Sequence, residues 1–442
     1  MLDSTAARLL ARTAHAQRDG RAPSLVAGVV RGGRLDWSTG RGDVAEPHTD
    51  VQYRLGSISK TVCAVAVMRA RDEGLLDLDD ALGTHLPGTP FDRRTVGQLL
   101  SHMAGAGAET NGPWWERTPG TTVAGLGLTE TNRPHAAGRR FHYSNLGFGL
   151  LGELLAGLRR RPWGEVVRDE VLLPLGMTRT STRPVPPAAQ GFAVHPWADL
   201  ILPEPEHDAV SMAAAGQLWA TLQDLGRFAS FLLGDTGDVL SAATLEEMCD
   251  PAGGTLDDAE WSAYGLGVMV HAADGRVLVG HGGSMPGFLA GIWVDRVEQV
   301  GAVSLSNATS GGDVALIGDL LRTVRESEPS VVEPWQPLRS YDEPALALVG
   351  PWYWGPAAFA MTLRADGLLH LESLTSRGRA SRFVGSGDGT WRGLDGYYTG
   401  EVLRPAADGR SFDLASLIFT RAPYAPAEVV PGSVDEQGWR PG

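Results

Sequence analysis

Apolar and polar positions change period three times along the chain. Residues 3 to 18 read as a helix, with Leu9 and Leu10 on the apolar side of an arginine-bearing segment. Ser24 to Val30, the turn Arg31-Gly32-Gly33-Arg34 and Leu35 to Ser38 read as a β-hairpin. Ser57 to Glu73 is apolar on nearly every side (Ile58, Val62, Ala64, Val65, Val67, Met68), which marks a buried helix, and Gly74 stops it. Residues 75 to about 260 read as helix-rich. Strand patterns return at Arg276 to Gly280, Gly287 to Val294 and Gln299 to Leu305, followed by a helix from Val314 to Arg325. Strands and helices at both ends of a helical insert predict one α/β domain, 1–328, whose sheet is built from both ends of the segment.

A linker is expected over 329–345, where prolines recur without an apolar period. Beyond it, Met361 to Arg364 and Leu368 to Glu372 flank Asp366-Gly367. Gly400 to Leu403 and Ser411 to Thr420 flank Asp408-Gly409. Both are hairpin signals, and 346–442 is expected to form a small antiparallel barrel. Trp352-Tyr353-Trp354-Gly355 reads as barrel core, and Arg421 as a solvated arginine or a carboxylate ligand.

A length of 442 residues fits two domains. The formal charge of −14 argues against nucleic acid as a partner, since phosphate binding needs a basic face. The first twenty residues lack an apolar signal-peptide core, and no apolar run approaches the roughly 20 residues of a membrane span. A cytoplasmic protein without a membrane partner is therefore expected. Cys63 and Cys249 are the only cysteines, too few for a disulfide framework or a zinc site. His102, His142 and His281 match no zinc spacing. No metal and no cofactor are expected.

One count changes the picture. Of 38 basic residues, a single one is lysine, Lys60. Arginine cannot give up its proton in a protein, whereas a desolvated lysine can. Lys60 follows Ser57 by three residues, so on a helix the two share a face, with Ser57 at the positive end of the helix dipole. A serine hydroxyl needs an adjacent base to act as a nucleophile, and a neutral Lys60 is such a base. No G-x-S-x-G elbow is present, which disfavours an α/β-hydrolase. Tyr143 and Asn145 lie two apart before an apolar helix (Leu146 to Leu155). A phenol beside a lysine can relay a proton, and an asparagine amide can hold a substrate carbonyl. Gly280-His281-Gly282-Gly283-Ser284 follows the apolar strand Val277 to Val279. Glycines there let an extended substrate approach the strand edge. Trp114-Trp115, in a Gly/Pro-rich stretch, are candidates for lining an acyl pocket.

The ordered set S-x-x-K, Y-x-N, H-G-G resembles the penicillin-binding-protein and class C β-lactamase superfamily of serine enzymes. The resemblance runs from about residue 20 to 325. It includes Tyr53-Arg54-Leu55-Gly56, Leu99-Leu100-Ser101-His102-Met103-Ala104-Gly105, Leu173-Pro174-Leu175-Gly176-Met177, Ala215-Gly216-Gln217-Leu218-Trp219 and Tyr264-Gly265-Leu266-Gly267. It implies a β-lactamase/transpeptidase-like antiparallel sheet flanked by helices, with a helical insert, and a lipocalin-like C-terminal barrel. It implies Ser57 as nucleophile, Lys60 and Tyr143 as proton carriers, Asn145 orienting the substrate amide, and the N–H groups of Ser57 and Ser284 as oxyanion hole. Gly282 and Gly283 would border the substrate, and His281 would stand where β-lactamases carry a lysine. That departure disfavours a β-lactamase and favours esterase, D-peptide or acyl-transfer branches. The expected substrate is a small molecule or a peptidyl ester, thioester or D-residue peptide, including one held on a carrier protein. Stand-alone thioesterases that cyclise nonribosomal peptides fall within this range. A non-catalytic binding module of the same fold would be expected to have lost Ser57, Lys60 or Tyr143, and all three are present.

Overall fold

The structure is a computed structural model. It describes residues 1–255, 261–273, 275–329, 334–375 and 379–424. The chain divides into two compact units, Met1–Ser330 and Val331–Gly442.

The first unit is built on an eight-stranded sheet. Its strands are β1 (Ser24–Arg31), β2 (Arg34–Gly42), β3 (Gly253–Thr255), β4 (Trp261–Tyr264), β5 (Met269–Ala273), β6 (Arg276–Met285), β7 (Phe288–Asp295) and β8 (Val300–Ser306), in the order β2-β1-β8-β7-β6-β5-β4-β3. The N-terminal hairpin therefore pairs with the last strand, Leu25 opposite Ser306. β1 is buried on both faces. Leu25, Ala27 and Val29 point into a core shared with helices α1 (Asp3–Asp19) and α5 (Leu316–Ser327), whose Leu9, Leu316 and Leu320 are buried there. Val26 points into the main core on the opposite face. This double burial is why β1 reads as a continuous apolar run rather than an alternating one.

The main core is helical. Its centre is α2 (Ile58–Asp72), buried on nearly every side, against α3 (Asn145–Arg159) and α4 (Leu222–Leu233). Two short strands, Gln52–Arg54 before α2 and Trp219–Thr221 before α4, pair antiparallel.

The strand read as ending at Gly280 runs further: β6 continues to Met285, with Gly282 opposite Gly291 and Ser284 opposite Leu289 on β7. Pairing with β7 overrides the low strand propensity of glycine. β5 pairs with β6 only over Arg276–Gly280, so from His281 onward β6 has a ladder partner on one edge alone.

Two glycines set how closely this strand meets α2. Gly56 has φ +54, and a Cβ there would lie 2.5 Å from the Ser284 nitrogen. A Cβ on Gly283 would lie 1.9 Å from the Leu55 carbonyl oxygen. Only glycine at both positions lets the start of α2 touch β6.

The second unit is a closed eight-stranded antiparallel barrel in sequential order, from Gly350–Trp354 to Leu417–Thr420. Its interior is filled by Trp352, Phe359, Met361, Phe383, Phe412 and Phe419, among others. A short helix, Glu343–Leu348, adds Ala345 and Leu348 to that core. Ser411 to Thr420 is two strands rather than one, Ser411–Leu414 and Leu417–Thr420. They reverse at Ala415 (φ 56) without a Gly or Pro signal. Of the expected core aromatics, Trp352 is fully buried, while Trp354 is exposed at the end of its strand. Arg421, half-buried, is engaged within the unit: it donates to the carbonyls of Ala347 (2.6 Å) and Val349 (3.0 Å) and lies over the Trp352 ring.

Replacing Gly283 with alanine should force Leu55 and β6 apart. Because an ångström of misplacement can cost about 100-fold in rate, kcat/KM of Gly283→Ala is expected to fall by about that factor, while thermal melting stays cooperative. Steady-state kinetics beside a melting curve checks both.

Candidate active site

Ser57 is the N-cap residue of α2, with helical φ and ψ and no capping hydrogen bond from its side chain. Its hydroxyl is thus left for other partners. Lys60, one turn on, has no exposed surface. Its Nζ lies 2.9 Å from Ser57 Oγ and donates to the Ala215 carbonyl at 2.7 Å. Burial pulls the Lys60 pKa down to about 7, opposed by the negative charges of Glu109 and Glu116. Ser59, between the two, accepts the Leu218 N–H at 3.1 Å and so ties the Ala215–Leu218 segment to the same turn.

Tyr143 precedes α3. It lines the same groove as Ser57, and its ring centroid lies 5.0 Å from Lys60 Nζ. Burial holds its pKa above the ordinary phenol value, so the hydroxyl keeps its proton near neutrality. Asn145 donates through Nδ2 to Glu109 Oε1 at 2.6 Å, and the other Glu109 oxygen accepts the Trp115 indole N–H at 2.7 Å.

His281 is buried on β6. Its Nδ1 lies 2.5 Å from the Gly282 carbonyl and its Nε2 lies 3.0 Å from the Tyr264 hydroxyl. A carbonyl can only accept, so Nδ1 carries the proton and Nε2 accepts from Tyr264. Burial, then the nearby Lys60, lowers the His281 pKa to about 3. The imidazole is neutral across the physiological range, and both nitrogens are spent inside the protein.

A groove of about 810 Å3 runs from this cluster across the sheet. Ser57, Tyr143, His281, Gly282, Gly283 and Ser284 line it at the reaction end. Among its described lining residues none is Lys or Arg, and Asp313 is the one carboxylate. The Ser57 and Ser284 backbones are brought together by the Gly56 and Gly283 contacts, and no backbone acceptor for the Ser57 N–H occurs among the described residues.

Of the residues singled out in the sequence, Ser57, Lys60, Tyr143, His281 and Ser284 meet in one place. Asn145 joins through Glu109. Trp114 and Trp115 do not line the groove. Trp115 turns into the main core, and Trp114 is exposed, with its indole N–H on Glu116 and Arg117 over its ring. In a pair of adjacent loop aromatics nothing local says which one turns inward. Three contributors carried no chemical signal of their own: Glu109, the Ala215 carbonyl and Tyr264. The last two lie in segments that already stood out by resemblance, whereas Glu109 lies in none.

An antiparallel sheet flanked by helices, with a serine and a buried lysine one turn apart at a helix start, defines a serine hydrolase of the β-lactamase and penicillin-binding-protein type. Residues 6–324 match the Beta-lactamase family, and the chain belongs to it. Residues 341–421 match a domain of unknown function, DUF7586. The chain is 26% identical over 339 residues to penicillin-binding protein 4 of Amycolatopsis lactamdurans, covering 69% of this chain and 82% of that protein. It is 26% identical over 272 residues to β-lactamase-like protein 2 of Dictyostelium discoideum, spanning 56% of this chain and about half (49%) of that one. Among solved structures, a D-stereospecific amidohydrolase from Streptomyces sp. superposes with a TM-score of 0.62 at 25% identity, covering 74% of this chain and 99% of its own. The octameric penicillin-binding protein homologue from Pyrococcus abyssi shares the fold over 95% of this chain and 100% of its own (TM-score 0.66, 19% identity). No helix among the described residues is long and apolar enough to cross a membrane.

Glu109 raises the Lys60 pKa by favouring the ammonium. Removing that charge in Glu109→Gln should lower it further. The acid limb of the kcat/KM profile should then move to lower pH; a shift the other way would show that Lys60 does not set that limb.

Proposed function

We propose that this protein is an acyl-enzyme catalyst acting on esters, thioesters or D-residue peptides. The observation that carries the reading is the 2.9 Å approach of Ser57 Oγ to a fully buried lysine whose pKa is about 7. Neutral Lys60 accepts the Ser57 proton while its own N–H stays on the Ala215 carbonyl. Ser57 Oγ attacks the substrate carbonyl carbon. The resulting oxyanion is held by the Ser57 and Ser284 N–H groups, each worth about 3 kcal/mol in comparable sites. Tyr143, which lines the groove beside Ser57, delivers a proton to the leaving oxygen, sulfur or nitrogen as the carbonyl re-forms. An incoming water or amine then releases the acyl group by the reverse transfers. Asn145, held by Glu109, orients the substrate amide. The absence of Lys and Arg from the described groove lining, with His281 neutral, disfavours substrates that need a fixed cation for a free carboxylate. β-Lactams and carboxypeptidase substrates are of that kind. The likeness to a D-stereospecific amidohydrolase from Streptomyces sp. supports a D-configured acyl residue.

A second reading within the same chemistry is release by an internal amine, which makes a cyclic peptide from a carrier-bound peptidyl thioester. The cation-poor groove fits an amine acceptor better than an acidic one.

Intact mass after incubation with a peptidyl thioester ending in a D-residue should show one acyl adduct, and none in Ser57→Ala. Separating linear from cyclic product by mass then decides between the two modes of release. Lys60→Arg should lose at least about 100-fold in kcat, the scale of a general base, because arginine cannot accept the proton; a near-native rate would mean that charge alone matters. In the wild-type enzyme, kcat/KM should fall below about pH 7, tenfold per pH unit, since Lys60 becomes an ammonium there and cannot act as base.

A further inference from the structure

His102 belongs to none of the proton-carrying groups above, yet the cluster is arranged around it. The short helix Val96–Leu100 ends in a reversal in which Met103 N–H donates to the Gln98 carbonyl (2.8 Å) and His102 N–H to that of Leu99 (3.3 Å). His102 occupies the left-handed position of this motif (φ 58), the place where glycine usually sits. From there it binds the chain on both sides of Tyr143. Its carbonyl accepts the His142 N–H at 3.0 Å, and its Nδ1 accepts the Ser144 N–H at 3.1 Å. Its ring centroid lies 4.3 Å from that of Tyr143 and 4.4 Å from that of Tyr264, whose hydroxyl in turn holds His281.

This placement has two local costs. A side chain at φ 58 is strained relative to glycine. With Nδ1 accepting, the ring proton sits on Nε2, which is buried and has no partner among the described residues. A residue present only to fill space would avoid one cost or the other: glycine would suit the backbone, and an apolar ring would leave no N–H unpaired. What histidine adds is an acceptor for the Ser144 N–H combined with a ring under Tyr143.

We propose that His102 is a positioning residue: by clamping both neighbours of Tyr143 and packing against its ring, it fixes the phenol beside Ser57 and Lys60. This rests on the reading of Ser57, Lys60 and Tyr143 as the acyl-transfer centre. Because burial holds the His102 pKa well below its ordinary value, the ring stays neutral and the clamp does not loosen as the solution becomes mildly acidic.

Three variants of the full chain test it, with p-nitrophenyl acetate as substrate and rates normalised to folded protein. Asparagine tolerates the left-handed backbone and carries an acceptor where Nδ1 stands. His102→Asn should therefore keep kcat within about threefold of wild type. His102→Phe keeps the ring and loses the acceptor. Its kcat should fall about 10- to 100-fold, as for a misplaced catalytic group, with KM changed less than about twofold. If His102→Phe does not fold, His102→Gln, whose amide reaches the Nε2 rather than the Nδ1 position, carries the same expectation.

The decisive readout is a double-mutant cycle. In a Tyr143→Phe background the His102 substitution should cost nothing further, since there is no phenol hydroxyl left to place. His102→Phe or His102→Gln at the wild-type rate, or effects that multiply with Tyr143→Phe, would overturn this proposal alone. Tyr143→Phe at the wild-type rate would remove the underlying reading of Tyr143, and the proposal with it.

Discussion

The site depends on one electrostatic constraint: the chain's single ammonium-bearing side chain is kept out of water. An ammonium moved into a protein interior loses several kcal/mol of hydration unless a counter-charge replaces it. Among the described residues no carboxylate touches Lys60. A serine hydroxyl and a carbonyl do, together with the face of a phenol ring. Those partners satisfy an amine better than a cation, and so the pKa settles near 7. The surrounding architecture serves this end. α2 is apolar on nearly every side, so it lies in the core and takes Lys60 with it. The Ala215–Leu218 segment, tied back through Ser59, presents the carbonyl that fixes the amine.

The same desolvation reaches the two histidines nearest the centre. His281 and His102 are both buried, and both are held well below the usual imidazole range. Each has its tautomer set by a neighbour of fixed polarity, a carbonyl for one and a backbone N–H for the other. The centre therefore holds neutral, proton-sharing groups with carboxylates at its margin. This electrostatic character, more than the fold, separates acyl transfer on uncharged substrates from recognition of a free carboxylate. One fold can host different activities, and only the groups in the cleft distinguish among them.

Much of this was legible in the residues. The buried helix, the three adjacent C-terminal strands of the sheet and the paired hairpins of the second unit show as periods of 3.6 and 2. The single lysine beside a serine stood out because every other cation is arginine. The failures share a cause. The strand reads as ending at Gly280 because three glycines in six residues, 280 to 285, have weak strand propensity; β7, fixed by the rest of the sheet, supplies the missing partner. Ser411 to Thr420 reads as one strand because its reversal at Ala415 uses a residue that marks no turn. Trp114 and Trp115 are alike in sequence, and packing decides which is buried.

By itself, then, the sequence determined that Ser57 and Lys60 share one helical face, because their contact is local and needs only one helical turn. It also determined the two-part architecture, because hydrophobic period follows directly from residue order. The tertiary structure alone decided everything that joins distant segments. It brought Tyr143 to Ser57, aimed the Ala215 carbonyl at Lys60, set His102 beneath Tyr143, and spent both nitrogens of His281 inside the protein. All but the His281–Gly282 contact join residues far apart in sequence, and no local pattern records them. They form because the sheet buries apolar side chains on both faces and α2 is buried on nearly every side, which draws the connecting segments together.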